Sequence, residues 1–233
     1  MNAKDMKLDY FQFYDLEEPK VLGELSPLIT MKGQFDEDHP EWARPRLLRR
    51  FGNPVSKNGE PIFDKNAHLT WYKISSSDRR VRRSVTVANQ FWKKGQGLVI
   101  YDVVAMLVPA QKRMPRGEFT KPAKLGHYKV YQVINEQQVG SPPVKLVDQF
   151  EEREAQIYRA VAFAVPVTKE LHGKEFPIQN PKAHLTIFSV SRLDDMPNVI
   201  DARDQFGTYR NLRMGASYLL AVPSKKIDWK ESG

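Results

Sequence analysis

Three histidines, two aspartates and a set of arginine-rich stretches are the residues whose types and spacing could carry chemistry. His68, His127 and His184 each open a short aromatic and β-branched segment, and Tyr10 opens a fourth. Three imidazoles brought to one axis can hold zinc. Equivalent positions in separate segments are usually far apart, however, and a histidine at a strand start is more simply a hydrogen-bonding edge residue. No metal is therefore assigned. Asp148 and Asp204 each precede a Gln-Phe dipeptide, where Gly33 and Asn89 stand in the other two copies. Carboxylates that share acid–base work must stand about 5–10 Å apart, and nothing in their spacing requires that. Asx-type turn bonding is the expected role.

Basic residues cluster with aromatic ones. Arg44, Arg46, Arg49 and Arg50 follow Trp42; Arg79, Arg80, Arg82 and Arg83 form a second group; Trp92, Lys93 and Lys94 form a third. Guanidinium groups beside stacking rings suit nucleic acid or another polyanion. The same residues also suit a solvated loop or a charge-protected strand edge. Gly95-Gln96-Gly97 lacks the third glycine and the helix of a phosphate-binding loop. No serine nucleophile elbow and no HExxH motif is present. The sequence therefore offers no catalytic residue and no cofactor site, and a non-enzyme is expected.

The elements that must position these residues are announced by the Gln-Phe dipeptides. They fall at Gln34-Phe35, Gln90-Phe91, Gln149-Phe150 and Gln205-Phe206, at intervals of 56, 59 and 56 residues. A strand-like segment precedes each, beginning at Tyr10, His68, His127 or His184. A second short apolar run leads into the dipeptide, and a third apolar run follows and reaches a proline at Pro54, Pro109, Pro166 or Pro223. Period-two alternation and aromatic and β-branched enrichment read as strands, with prolines fitting strand ends. Recurrence points to structure: a site is needed once, whereas a packing solution is needed four times. Each Phe is expected in a core and each Gln amide on backbone at a turn.

Three strands per repeat predict an all-β protein. Gln34 to Gln149 and Gln90 to Gln205 both span 115 residues, so the repeats read as a pair copied once. The expected arrangement is two tandem six-stranded barrel- or sandwich-like domains. Residues 1–116 form the first, 117–124 a Pro- and Lys-rich linker, and 125–233 the second. The alternative is a single four-bladed, propeller-like ring.

Charge and composition set wide bounds. The net charge is +8, made of +5 over residues 1–120 and +3 over 121–233, so there is no basic tail. A modest positive field favours anionic partners and serves solubility equally. The chain has no cysteine, which excludes disulfides, thiolate metal sites and cysteine nucleophiles. Met1 to Asp9 is polar and shows no secretory signal, and no apolar run reaches the roughly 18 residues a membrane span needs. A cytoplasmic or virion-associated location is favoured.

Four phrases carry a family resemblance: Asn53-Pro54-Val55-Ser56-Lys57-Asn58-Gly59-Glu60-Pro61-Ile62, His68-Leu69-Thr70-Trp71-Tyr72-Lys73-Ile74, Asp204-Gln205-Phe206-Gly207 and Leu220-Ala221-Val222-Pro223-Ser224-Lys225. Together they resemble an uncharacterised bacterial tandem-repeat β-domain family over roughly residues 8–226. Its repeats run His-Leu-x-Cys-Tyr-Lys, then Asp-Gln-Phe-Gly, then Leu-Cys-x-Pro-x-x-Lys. Trp71, Val130 and Ile187 stand where the first cysteine of the pattern would be, and Leu107, Ala164 and Ala221 near the second. If those cysteines pair in the family, the resemblance implies that apolar packing replaces disulfides here. It implies a fold type and no catalytic residues.

The function expected is that of a non-catalytic structural or assembly protein, part of a larger particle such as a virion or surface layer. Its partners would be other protein subunits, copies of itself or particle components. One alternative is a binding module for an anionic polymer, nucleic acid or polysaccharide. The other, ranked last, is an enzyme with an inter-domain site.

Overall fold

Strand-forming residues dominate the chain, and the backbone follows them. The structure, a computed structural model, describes residues 6–23, 26–36, 40–77, 80–193 and 198–231. In chain order the strands are β1 (Tyr10–Val21), β2 (Ile29–Lys32), β3 (Glu41–Lys57), β4 (His68–Ser76), β5 (Arg83–Ala88), β6 (Gln96–Arg113) and β7 (His127–Val133). They continue with β8 (Val144–Val147), β9 (Glu152–Ala155), β10 (Ile157–Leu171), β11 (Lys174–Phe176), β12 (His184–Leu193), β13 (Asn198–Asp204) and β14 (Gly207–Glu231). The protein is all-β, and no helix among the described residues is long and apolar enough to cross a membrane.

One antiparallel sheet takes in both halves of the chain. Strands β1, β14, β12, β10, β7, β6, β4 and β3 bond in that order, and β3 pairs back onto β1, so eight strands close into a ring. Closure removes the unpaired edges that an open sheet would expose. Alternate residues of the ring strands meet inside it: Phe11 and Phe13, Leu69 and Trp71, Ala105 and Leu107, Tyr128 and Val130, Ala162 and Ala164, Leu185 and Ile187, Leu219 and Ala221. An eight-stranded closed sheet has an interior just wide enough for side chains to fill. Large residues on β1, β4, β7 and β12 face mostly small ones on β6, β10 and β14, which lets the layers interdigitate.

The positions at which the resembled pattern carries cysteine lie in this interior and face each other across neighbouring strands. Trp71 pairs with Leu107, Val130 with Ala164 and Ile187 with Ala221. Apolar packing occupies all of them. The matching pair on β1 and β3 is Phe13 with Gly52.

The short strands lie outside the ring and cover its outer face. β2, β5, β8 and β13 each join the strand that follows them to a long strand from two segments away. Thus β2 pairs with Glu41–Ala43 of β3 and with Thr168–Glu170 of β10. Strand β5 pairs with β6 and with the last residues of β14. Strand β13 pairs with the start of β14 and with Gln111–Arg113 of β6. Strand β8 pairs with β9 and with Ser56–Lys57 of β3.

This arrangement corrects the expected pair of six-stranded units. A three-stranded segment has apolar faces it cannot cover alone; its long strands pair with the segments on either side, and its short strand takes a partner from the opposite half. The ring alternative is closer, but its strands are shared between segments rather than gathered into blades. Residues 117–124 connect β6 and β7, neighbours in the ring, and are tied to the sheet: Thr120 N–H donates to the Lys112 carbonyl at 2.8 Å.

The prolines do not end strands, contrary to the sequence expectation. Pro54, Pro109, Pro166 and Pro223 lie inside β3, β6, β10 and β14. Each comes two residues after the last pairing with one of the strand's two ring neighbours, at Gly52, Leu107, Ala164 and Ala221 respectively. A residue without an N–H is tolerated where one side of the ladder has already run out.

Gly52 has a specific steric reason. A Cβ there would lie 2.7 Å from the Phe13 ring, and that ring is held edge-on against Trp71 at 5.1 Å. Gly52→Ala should lower unfolding stability by about 1–3 kcal/mol, measured by chemical denaturation. Adding Phe13→Leu should recover part of the loss.

Candidate functional site

The Gln-Phe turns are built by the residue in front of them. Asp148 Oδ1 accepts the Phe150 and Glu151 N–H groups at 2.8 and 3.1 Å. Asp204 Oδ1 accepts Phe206 N–H at 2.8 Å. Asn89 Oδ1 accepts Phe91 and Trp92 N–H at 2.9 and 3.2 Å. The first segment has Gly33 instead, and its N–H donates to Asp36 Oδ2 at 2.6 Å. The turns at Asp148, Asp204 and Asn89 are the Asx turns their chemistry favours.

Each turn drives its Phe against an aromatic ring two segments away. Phe35 meets Tyr131 at 5.5 Å, Phe91 meets Phe188 at 5.4 Å, Phe150 meets Tyr14 at 5.5 Å and Phe206 meets Tyr72 at 5.2 Å, all edge-to-face. The four rings thus occupy matching environments.

A buried polar bond accompanies each contact. Asp204 Oδ2 accepts from Thr70 Oγ1 and Tyr72 OH, both at 2.6 Å. Asp148 Oδ2 accepts from Tyr14 OH and Asn53 Nδ2, both at 2.9 Å. Asn89 Nδ2 donates to Ser224 Oγ at 3.1 Å, which lies 2.7 Å from Thr186 Oγ1. Asp36 Oδ2 accepts from Lys129 Nζ at 2.7 Å, with both side chains fully buried. Burial raises the Asp204 carboxyl above its ordinary range and raises Tyr72 well above its own. Asp148 and Asp204 are both consumed as fasteners, the first against β1 and β3 and the second against β4.

The Gln side chains reach side chains rather than the expected backbone groups. Gln34 Nε2 lies 2.7 Å from His184 Nε2, Gln205 Nε2 lies 3.1 Å from His127 Nε2, and Tyr10 OH donates to Gln90 Oε1 at 3.1 Å. Each amide therefore meets the residue that opens the preceding segment, or, for Gln34, the last one. The fourth contact is missing. Gln149 Nε2 points to Met114 Sδ at 3.6 Å, and among the described residues neither ring nitrogen of His68 has a hydrogen-bond partner.

The histidines are held neutral. Burial, with the nearby Lys169 charge, lowers His127 to about 3; burial lowers His184 to about 4; burial and Lys112 hold His68 well below its usual range. Among the described residues no group of three or more His, Cys, Asp or Glu is arranged to hold a metal.

The basic candidates separate. Arg50 is ion-paired with Asp15 at 2.5 Å, donates to Tyr218 OH at 2.7 Å and lies over the Trp71 ring. Arg83 is 2% exposed and packs on Phe35 and Tyr131. Trp92 is half-buried against Phe188 at 5.0 Å. These three are parts of the internal packing. Arg79 lies outside the described residues. Arg49, Arg80, Arg82, Lys93 and Lys94 are exposed, and Arg80 lies 3.5 Å from Asp102. Arg44 and Arg46 line a shallow groove with Leu28 and Trp42.

Sequence reasoning did not single out four lysines that follow the prolines at a fixed offset: Lys57, Lys112, Lys169 and Lys226. Lys112 lies over the Phe150 ring at 5.1 Å, Lys169 over Phe206 at 5.4 Å and Lys226 over Phe35 at 5.6 Å. Burial lowers Lys112 and Lys169 to about 7. The recurrence of Pro-x-x-Lys was the available signal.

The neutral histidines set a pH dependence. An unfolded histidine takes up its proton near pH 6.5, whereas His184 in the fold does so only near 4. Between those values the unfolded chain binds more protons, so stability falls as pH drops below about 6.5. His184 alone should cost about 2 kcal/mol between pH 7 and pH 5. Denaturation of the His184→Gln variant should show a shallower loss over that window than the unaltered protein; equal slopes would refute the assignment.

A family model described as a repeat of unknown function, DUF7450, matches residues 68–223. Neither a curated protein nor a solved structure matches the chain.

Proposed function

Because the chain belongs to the DUF7450 family of repeats of unknown function, its role is read from its own geometry, and we propose that it is a non-catalytic structural protein. In this reading it is a β-module that assembles with copies of itself or with the subunits of a larger particle, such as a virion or a surface layer. The observation that carries the reading is the use made of the reactive groups. Asp148, Asp204, His127 and His184, four of the five candidate acid–base groups, are spent on holding equivalent turns to equivalent strands. An enzyme needs one such group left poised and accessible.

The surface that remains supports assembly. Val21, Leu28 and Trp42 are 78%, 52% and 45% exposed. Val21 lies on the end of β1 that pairs with β3, and Leu28 shares a groove with Trp42. Apolar residues gathered in this way on a surface mark interaction sites. Light scattering over a rising concentration series, together with affinity capture of particle components, tests the proposal. Concentration-dependent assembly that is lost in Trp42→Glu is the expected result. A monomer at every concentration that captures no partner counts against it.

A second reading rests on the same groove. Arg44 and Arg46 flank Trp42 there, with Arg49 exposed on the same strand, and this pairing of cations with a stacking ring suits an anionic polymer. Single-stranded DNA and heparin binding, followed by fluorescence anisotropy at two salt concentrations, should weaken with salt and with Arg44→Ala, Arg46→Ala and Arg49→Ala combined. Binding that ignores both changes removes this reading.

A further inference from the structure

Three of the four junctions between a Gln-Phe turn and a segment's opening residue are closed by the Gln amide. The fourth is open: Gln149 is turned out to Met114, and a cavity of about 490 Å³ lies beside it, lined by Gln149, Asp148 and Lys112. Pro54, Ile62 and Val147 supply an apolar wall. Lys112 is 4% exposed, and its Nζ makes one hydrogen bond among the described residues, to the neutral amide oxygen of Asn53 at 2.8 Å. Of the other buried lysines, Lys57 meets Glu60 and Lys129 meets Asp36, both at 2.7 Å, while Lys169 Nζ has no hydrogen-bond partner among the described residues and lies over the Phe176 ring at 4.1 Å. Lys112 lines a cavity, and although the Asp148 charge acts on it from the same wall, no carboxylate among the described residues bonds its ammonium directly.

The geometry points to this cavity as a binding site for a small monocarboxylate with an apolar tail, the carboxylate on Lys112 Nζ and the tail on Pro54, Ile62 and Val147. A single anionic charge fits better than two, because the second lysine of the lining, Lys65, is exposed to solvent and the one carboxylate among the described lining residues offsets one of the two ammonium charges. The Asp148 carboxylate, fixed in the same wall by Tyr14 and Asn53, would repel a phosphate dianion. The ammonium has donors to spare, and a bound carboxylate would supply the charge-assisted bond that burial otherwise denies it. This site is independent of the assembly reading, since it uses none of the groove residues around Trp42.

Binding would also move a proton. Lys112 is lowered to about 7 by burial, so at about pH 8.5 it is mostly neutral in the free protein, and an anion beside it restores the charged form by taking up close to one proton. Titration calorimetry with hexanoate, in two buffers of different ionisation enthalpy, reads both affinity and proton uptake. The expected result is hexanoate binding with uptake of about one proton near pH 8.5 and less near pH 6. Hexan-1-ol and inorganic phosphate should bind at least about tenfold more weakly, and Lys112→Met should weaken hexanoate about tenfold or more. The proton-uptake measurement on the unaltered protein holds even if that variant fails to fold. Absence of hexanoate binding, binding without proton uptake, equal binding of hexan-1-ol, tighter binding of phosphate, or undiminished binding by a folded Lys112→Met variant would each overturn the assignment.

Discussion

The edge-to-face contact between each turn phenylalanine and a ring-strand aromatic two segments away is the interaction on which the rest of the structure depends. An aromatic pair of this kind contributes about 0.5–1.5 kcal/mol beyond its buried area, so four of them are a modest energy. Their importance is positional. Phe35, Phe91, Phe150 and Phe206 each link a turn to a strand of the opposite half. The short strands β2, β5, β8 and β13 that lead into those turns do the same through their ladders. No half of the chain can complete its outer layer without the other.

The polar bonds beside those rings show how one geometric demand is met by different chemistry. Two residues after each segment's opening residue stands Gln12, Thr70, Lys129 or Thr186, and all four are fully buried. A buried polar group without a partner is costly, so the facing turn changes with it. Thr70 meets the carboxylate of Asp204, Thr186 meets Asn89 through Ser224, and Lys129 meets Asp36 in the segment where Gly33 supplies no side chain. Gln12 donates to Tyr14 OH, which itself donates to Asp148. The ion pair is the most demanding version, because desolvating both charges offsets much of their attraction. The open fourth junction at His68 and Gln149 is where the pattern was not completed.

Much of the architecture could be read from residue patterns, and the limits of that reading have physical causes. The strands and the recurring Gln-Phe turns follow from local composition and spacing, and Asp148 and Asn89 behave as their turn chemistry dictates. The partners of those turns did not follow. A 115-residue spacing records which segments resemble each other but not which ones touch, and pairing across the halves is a non-local choice. The prolines misled because a strand can continue past a residue lacking an N–H once one neighbour has ended. The arginine runs misled in part because charge in a sequence does not reveal which face a strand turns inward. Arg50 and Arg83 serve aromatic rings inside the fold, while Arg44 and Arg46 remain on a groove.

Interdependence of the halves is tested most directly by making them separately. Polypeptides 1–116 and 125–233 should each give a poorly dispersed amide NMR spectrum and no cooperative melt, because each lacks strands that its outer layer and ring require. Mixed together, they should regain dispersion and a cooperative transition. Either piece folding alone, with a dispersed spectrum and a sharp thermal transition of its own, would contradict the account.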